Sequence, residues 1–294
     1  MDINVITCGP NTRTCRSLFR YQGGKSRLCK NLVSLFPPTF NAYIEPFVGA
    51  GSVWLEVWNR GFRGPTFLGD RNLEVVNVHH VMAANPDGFE RAYALHIERH
   101  SRGYFYLLRD LDTSGWTPVE KAARTVYLSK AAFHGLLRVN TKGNVVSTYG
   151  TGELSRMRLD GSRIHAVSAA LQNAHIRCGD FGWVGEVAQP GDLVFLDPPY
   201  FGGNVAYTAE GFRVEDHLRL HSLCRTLDAK GVLFVQTNAD RLFVRDLYRG
   251  FHFVSVSPAP AIGRGGAGKQ PVGELVIANF EPEARAAGKF EVAA

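Results

Sequence analysis

The residues best suited to chemistry are Asp197-Pro198-Pro199-Tyr200, directly after the apolar run Leu193-Val194-Phe195-Leu196. Four consecutive apolar residues read as a strand buried on both faces. A carboxylate at the carboxyl end of such a strand stands where open α/β sheets receive ligands. Two prolines fix the backbone and carry no N–H, which leaves their carbonyls as acceptors. An aromatic ring follows at once. Acceptor, acceptor and stacking ring together suit the amino group of a flat base. The same four residues also fit a plain strand-ending turn, where Asp and Pro are common.

A second group is Tyr43-Ile44-Glu45-Pro46-Phe47-Val48-Gly49-Ala50-Gly51-Ser52, which reads as strand, Gly-x-Gly turn and helix start. Glycines there let the backbone approach a ligand at a helix N-terminus. Asp70 follows about 20 residues later, behind Thr66-Phe67-Leu68-Gly69, a separation at which an acidic side chain takes ribose hydroxyls. Trp54 stands where a dinucleotide fingerprint needs its third glycine, which favours a smaller adenosine ligand over NAD.

Two glycine loops invite a phosphate-binding reading, and both fail it. In Tyr21-Gln22-Gly23-Gly24-Lys25-Ser26 the glycine required five residues before Gly24 is replaced by Phe19. That loop and its lysine can still hold a carboxylate, or simply open the next helix. In Gly263-Arg264-Gly265-Gly266-Ala267-Gly268-Lys269-Gln270, Gln270 replaces the Ser or Thr that binds magnesium, and Pro271 leads into a strand. Arg264 and Lys269 then suit contacts to DNA phosphates, or a hairpin loop without a role.

These residues need a sheet to bring them together. Helical spacing over 28–36 stops at Pro37-Pro38, a short strand covers 42–47, a helix 52–59, and a strand 66–68. Strand signals then fade between about 85 and 172, where 89–100 and 118–133 read as helices. They return at 193–196, 232–236 and 274–279, with a helix over 214–227. The sequence thus divides into 18–84 and 173–280 as one α/β unit, 85–172 as a mostly helical insert, and 281–294 as a flexible, Ala- and charge-rich tail.

Composition narrows the class. The chain has 294 residues, 45% of them hydrophobic, and a formal net charge of +6. That length suits one large α/β domain with an insertion. From 99 to 163 there are about 11 Lys/Arg against about 5 Asp/Glu, roughly +6, so this stretch can carry the whole excess. A basic segment of this kind is a solvated face or a nucleic-acid surface. The five cysteines are scattered without metal-ligand spacing, so no metal is expected and a reduced, cytoplasmic compartment fits. No apolar run approaches the ~18 residues of a membrane span, and no signal peptide is expected.

Taken together, the segments resemble the Dam-type DNA adenine methyltransferases, in the family's own order and over about 19–280. Phe19-Arg20-Tyr21-Gln22-Gly23-Gly24-Lys25 looks like the N-terminal cofactor motif. Glu45-Pro46-Phe47-Val48-Gly49-Ala50-Gly51-Ser52-Val53 looks like the glycine loop, and Leu68-Gly69-Asp70-Arg71-Asn72 like the acidic second strand. Asp197-Pro198-Pro199-Tyr200 looks like the catalytic tetrapeptide. The resemblance implies a Rossmann-like methyltransferase sheet with an inserted, mostly helical target-recognition subdomain, and S-adenosylmethionine as cofactor. It implies cofactor contacts from Tyr21, Lys25, Glu45, Phe47, Gly49, Ala50, Gly51, Ser52, Asp70 and Asp197. Asp180 and Phe181 match a segment that lines the cofactor's adenine. Phe133-His134-Gly135-Leu136-Leu137-Arg138-Val139-Asn140 resembles a DNA-contacting stretch, so His134, Arg138, Asn140 and nearby Lys142 are expected at DNA. The family usually has Asn where His134 stands, so the expected site is one related to the family's usual GATC without being equated with it.

The implied reaction is direct methyl transfer to the amino nitrogen of an adenine flipped from double-stranded DNA. Asp197 and the Pro198 carbonyl would accept from the amino group while Tyr200 stacks on the base. The alternatives are cytosine-N4 methylation by the same tetrapeptide, or a DNA-binding relative without catalysis. A cytoplasmic monomer or weak dimer, encoded by a bacterium or phage and serving restriction-modification or another role, is the expected setting.

Overall fold

Apolar runs bounded by turn residues form a single sheet, and capped amphipathic runs form the helices around it. The computed structural model describes residues 14–21, 23–26, 28–135, 137, 145–150, 153–202, 211–256, 273–282 and the backbone of 290–292. The strands are β1 (Tyr43–Glu45), β2 (Thr66–Asp70), β3 (Ala174–Cys178), β4 (Leu193–Leu196), β5 (Leu233–Ala239), β6 (His252–Val256), β7 (Glu274–Ala278) and β8 (Phe290–Val292). The helices before β3 are α1 (Cys29–Val33), α2 (Ser52–Asn59), α3 (Leu73–Ala84), α4 (Pro86–Glu98), α5 (Arg102–Asp110), α6 (Pro118–Ala131), α7 (Leu154–Met157) and α8 (Gly161–Leu171). Those after it are α9 (Val184–Val187), α10 (Val214–Ala229) and α11 (Leu242–Leu247).

The eight strands lie in the order β3-β2-β1-β4-β5-β7-β6-β8. Strands β3, β2, β1, β4 and β5 are mutually parallel. Strand β7 inserts antiparallel between β5 and β6. The chain leaves β1 for β2 on one side and returns from β3 to β4 on the other. This reversal opens a crevice at the carboxyl ends of β1 and β4, as doubly wound sheets do. The architecture is the expected Rossmann-like α/β fold with a mixed sheet. All four residues of β4 are buried, Leu193 and Phe195 in one apolar cluster and Val194 and Leu196 in a second. The terminal segment expected to be flexible contributes β8, which pairs antiparallel with β6.

Helices start where the sequence supplies caps. Asn85 accepts from the Gly88 N–H ahead of α4, and Ser101 from Tyr104 ahead of α5. Thr117 and Glu120 form a capping box on α6, with Pro118 at its first position. Helix α1 is shorter than its spacing predicts. Beyond Val33 the chain tightens, with Leu35 donating to Leu32 and Phe36 to Val33, before the two prolines.

The insert packs on the sheet domain through α3. Helix α6 lies against α3 and α4, and α8 against α3. One apolar cluster runs from Tyr43 and Val75 through Val78 to Phe89, Phe105, Val126 and Ile164. Polar contacts cross the same seam: Thr125 donates to Glu74 at 2.8 Å, and Asn77 to the Pro118 carbonyl at 2.8 Å. Among the described residues no helix is long and apolar enough to cross a membrane.

Candidate active site

At the carboxyl edge of the parallel strands lies a cleft of about 610 Å³, within the usual range for a site that takes a cofactor-sized molecule. Tyr21, Lys25, Glu45, Phe47, Gly49, Ala50, Ser52, Asp70, Asp180, Phe181 and all of Asp197, Pro198, Pro199 and Tyr200 line it. Gly51 does not. It takes a left-handed conformation (φ 74°) as the residue that opens α2, with its α-carbon facing His79 behind the wall. Gly49 is also left-handed (φ 48°), and an added Cβ would stand 3.0 Å from the Tyr21 ring. A side chain at either position would therefore close or strain the loop.

The glycine loop is tied to β2. Asp70 accepts from the Gly49 N–H at 3.0 Å and from the Asn72 N–H at 2.8 Å. Burial pushes its carboxyl up to about 6, against the opposing pull of those N–H groups. Asn72, which also caps α3, donates to the Tyr21 hydroxyl at 3.2 Å. Glu45 is fully enclosed and accepts from the Tyr43 hydroxyl at 2.8 Å. Burial holds its carboxyl well above the ordinary range. At the far end of the cleft the Phe47 and Phe181 rings sit 5.6 Å apart. Asp180 accepts from Gly182 N–H at 3.0 Å and from Arg219 at 2.6 Å.

The tetrapeptide end is more tightly wired than its sequence suggests. Thr237 of β5 donates to Asp197 Oδ1 at 2.6 Å. Lys25 Nζ is 2.8 Å from each Asp197 oxygen and 2.9 Å from the Gly23 carbonyl. The ammonium expected at a cofactor carboxylate is thus also paired with the tetrapeptide acid. Tyr200 donates its hydroxyl to Glu274, and burial raises the phenol's pKa well above its usual value. Asn238 Oδ1 accepts from the Phe201 N–H at 3.0 Å and pins the backbone after the tetrapeptide.

Thr237, Glu274, Asn72 and Asn238 were not legible as site residues. Each is an ordinary polar residue whose partner lies between 37 and 74 positions away. Of the residues expected at DNA, Arg138, Asn140, Lys142, Arg264 and Lys269 lie outside the described residues. His134, in the middle of the insert's sequence, is exposed and is the one non-glycine residue with positive φ (58°) among those described. Its ring lies 4.0 Å from that of Phe133, also exposed. A left-handed residue explains why Asn suits this position, since Asn and His both enter that region more readily than most.

Comparison with known proteins agrees with this geometry. The family model described as "D12 class N6 adenine-specific DNA methyltransferase" matches residues 21–260. A type II methyltransferase of Lactococcus lactis subsp. cremoris is 30% identical over 92% of this chain and 97% of its own length. A type II methyltransferase of Methanocaldococcus jannaschii is 28% identical, covering 90% of this chain and 99% of its own. A DNA adenine methylase of Haemophilus influenzae is 28% identical over 89% and 92% of the two chains.

Proposed function

The chain belongs to the D12 class N6 adenine-specific DNA methyltransferase family, and from that premise we propose that it moves the methyl group of S-adenosylmethionine to an adenine flipped out of double-stranded DNA. The family's base is adenine, which sets aside the cytosine alternative. The observation that carries the reading is the single cleft shared by the Asp70-tied glycine loop and the Asp197 tetrapeptide. Loop backbone, buried acid and paired phenyl rings suit an adenosine moiety. S-adenosylmethionine supplies an electrophilic methyl on sulfur.

The chain's own residues then do three things. Thr237 and Lys25 fix the plane of the Asp197 carboxylate, whose two oxygens offer about four lone pairs, enough to accept one more hydrogen bond. That acceptor and the Pro198 carbonyl draw the amino hydrogens and turn the nitrogen lone pair toward the methyl group. Tyr200 offers its ring to the flipped base, with its hydroxyl already committed to Glu274. Such pre-set acceptors act on the transition state without reorganising.

Asp70 is assigned to the ribose hydroxyls. Asp70→Ala should weaken S-adenosylmethionine binding by about 1.5–3 kcal/mol, read by calorimetry. In the wild type the affinity should fall as pH drops through about 6, where Asp70 gains a proton. The sign for stability is opposite. A carboxyl raised in the folded state favours folding below about 3.8 and loses that contribution as pH rises through about 6. Unchanged affinity in the variant would move the ribose site elsewhere.

DNA recognition is assigned to the middle of the insert, from His134 to Lys142. Methylating a randomised duplex library and sequencing for N6-methyladenine tests both donor and substrate. Arg138→Ala should relax one position of the site by about 1–3 kcal/mol if Arg138 reads a base. If it clamps a phosphate, binding should weaken evenly and the salt slope should drop by about one. Identical profiles and rates for the two proteins would remove Arg138 from the interface. A library left unmethylated would refute the function itself.

A further inference from the structure

One partly buried acid of the cleft has no part in the roles above beyond receiving a hydroxyl: Glu274. It is the first residue of β7, and its register partners are Ala239 on β5 and Val256 on β6. Because β7 is antiparallel, its amino end arrives where the parallel strands present their carboxyl ends. The Asp240 N–H donates to the Gly273 carbonyl at 2.8 Å and fixes that arrival. The Glu274 side chain is 17% exposed, accepts from the Tyr200 hydroxyl, and has Oε1 3.6 Å from Lys25 Nζ. Lys25 in turn bonds Asp197 at 2.8 Å and lies 4.7 Å from the centre of the Tyr200 ring. Lys25, Glu274 and Tyr200 are thus mutually linked, and Asp197 joins them through Lys25.

A strand start needs no carboxylate. Val or Thr would suit the pleat better and would not carry the cost of taking a charge from water. Burial raises the Glu274 carboxyl's pKa while the Lys25 charge opposes that rise, so Lys25 offsets part of that cost. Both groups that Glu274 touches are ones the proposed reaction needs in fixed orientation.

We propose that Glu274 is a positioning residue for methyl transfer, holding the Tyr200 ring by its hydroxyl and sharing Lys25 with Asp197. Ring and carboxylate then meet the target adenine in one fixed relative geometry. This rests on the roles proposed for Asp197 and Tyr200. Glu274 itself touches neither base nor methyl group. Without it the Tyr200 ring turns about its side-chain bonds and Lys25 settles wholly on Asp197. Misplacement of this kind lowers the rate of the chemical step far more than it lowers ligand affinity.

The test is a double-mutant cycle on the full chain. Wild type, Glu274→Gln, Tyr200→Phe and the double variant are compared in single-turnover methylation of duplex DNA, with cofactor affinity by calorimetry and melting temperature alongside. Glu274→Gln should slow the single-turnover rate about 10-fold or more, the equivalent of weakening one hydrogen bond to a charged acceptor. Cofactor affinity should stay within about twofold, since the ribose and adenine contacts lie elsewhere in the cleft. The double variant should fall short of the product of the single losses by about 5-fold or more, because both changes break the same contact. Glu274→Asp keeps the charge but draws it back by one methylene, and should give the same non-additivity if the Gln variant does not fold. Wild-type rates, multiplying losses, or a loss confined to cofactor affinity would overturn the assignment. If the wild type itself makes no N6-methyladenine in this assay, the underlying reading of Asp197 and Tyr200 falls, and this inference with it.

Discussion

Asp197→Ala should lose methyl transfer by on the order of 100-fold or more and still fold, because it removes an acceptor aimed at charge that develops only in the transition state. The residue sits just past β4 at the cleft edge, 16% exposed, and makes polar contacts instead of filling the core. Its removal leaves the Lys25 ammonium with the Gly23 carbonyl at 2.9 Å and Glu274 at 3.6 Å, so that buried cation keeps partners. Asp197→Asn keeps the shape but puts an amide in place of the anion, and should fall nearly as far. N6-methyladenine formed per enzyme, measured by mass spectrometry beside a thermal melt, checks both. Turnover like the wild type in either folded variant would end the assignment of Asp197 as the acceptor.

Phe89→Ala should destabilise the whole chain, not the insert alone, by about 3–5 kcal/mol. Phe89 is fully buried on α4, with its ring 5.7 Å from that of Tyr93. It belongs to the same apolar cluster as Tyr43 and Leu68 of the sheet. A domain's total stability is only about 5–15 kcal/mol, so a loss of this size should be plain in a denaturant titration. Far-ultraviolet ellipticity and the protection conferred by bound cofactor should be lost in one coincident transition. Two separate transitions, with cofactor binding outlasting the helices of the insert, would make 85–172 an independently folding unit.

The parts that were legible and those that were not differ in how local their causes are. Strand β4 was visible because a strand buried on both faces must be apolar throughout, and four such residues in a row leave little else to read. Helices α4 and α6 were visible as helical stretches over 89–100 and 118–133, although α4 already begins at Pro86 behind its Asn85 cap. By contrast, β3 runs along the edge of the sheet with half-exposed residues such as His175 and Arg177, and its composition carries no strand signature. Helix α3 escaped notice for the opposite reason. It is apolar on nearly every side, since it lies between β2, β3 and the insert helices α6 and α8, so no one-sided period marks it.

The site divides along the same line. Asp197-Pro198-Pro199-Tyr200, the glycine loop and Asp70 are each short local patterns, and the ligand chemistry they require is written in residue type and spacing. The sequence by itself therefore determined the reaction class, the strand ends that carry it, and the side of the sheet where they gather. Only the tertiary structure decided what each group touches. The reversal between β1 and β4 brings Lys25 to Asp197 across 172 positions. The parallel pairing of β4 with β5 sets Thr237 beside the same carboxylate, 40 positions on. The antiparallel entry of β7 delivers Glu274 to Tyr200 across 74. Strand order and direction are settled by which faces bury against one another, and no short stretch of chain records that. A polar residue such as Glu274 has the same local appearance on a solvated loop as in the wall of a catalytic cleft.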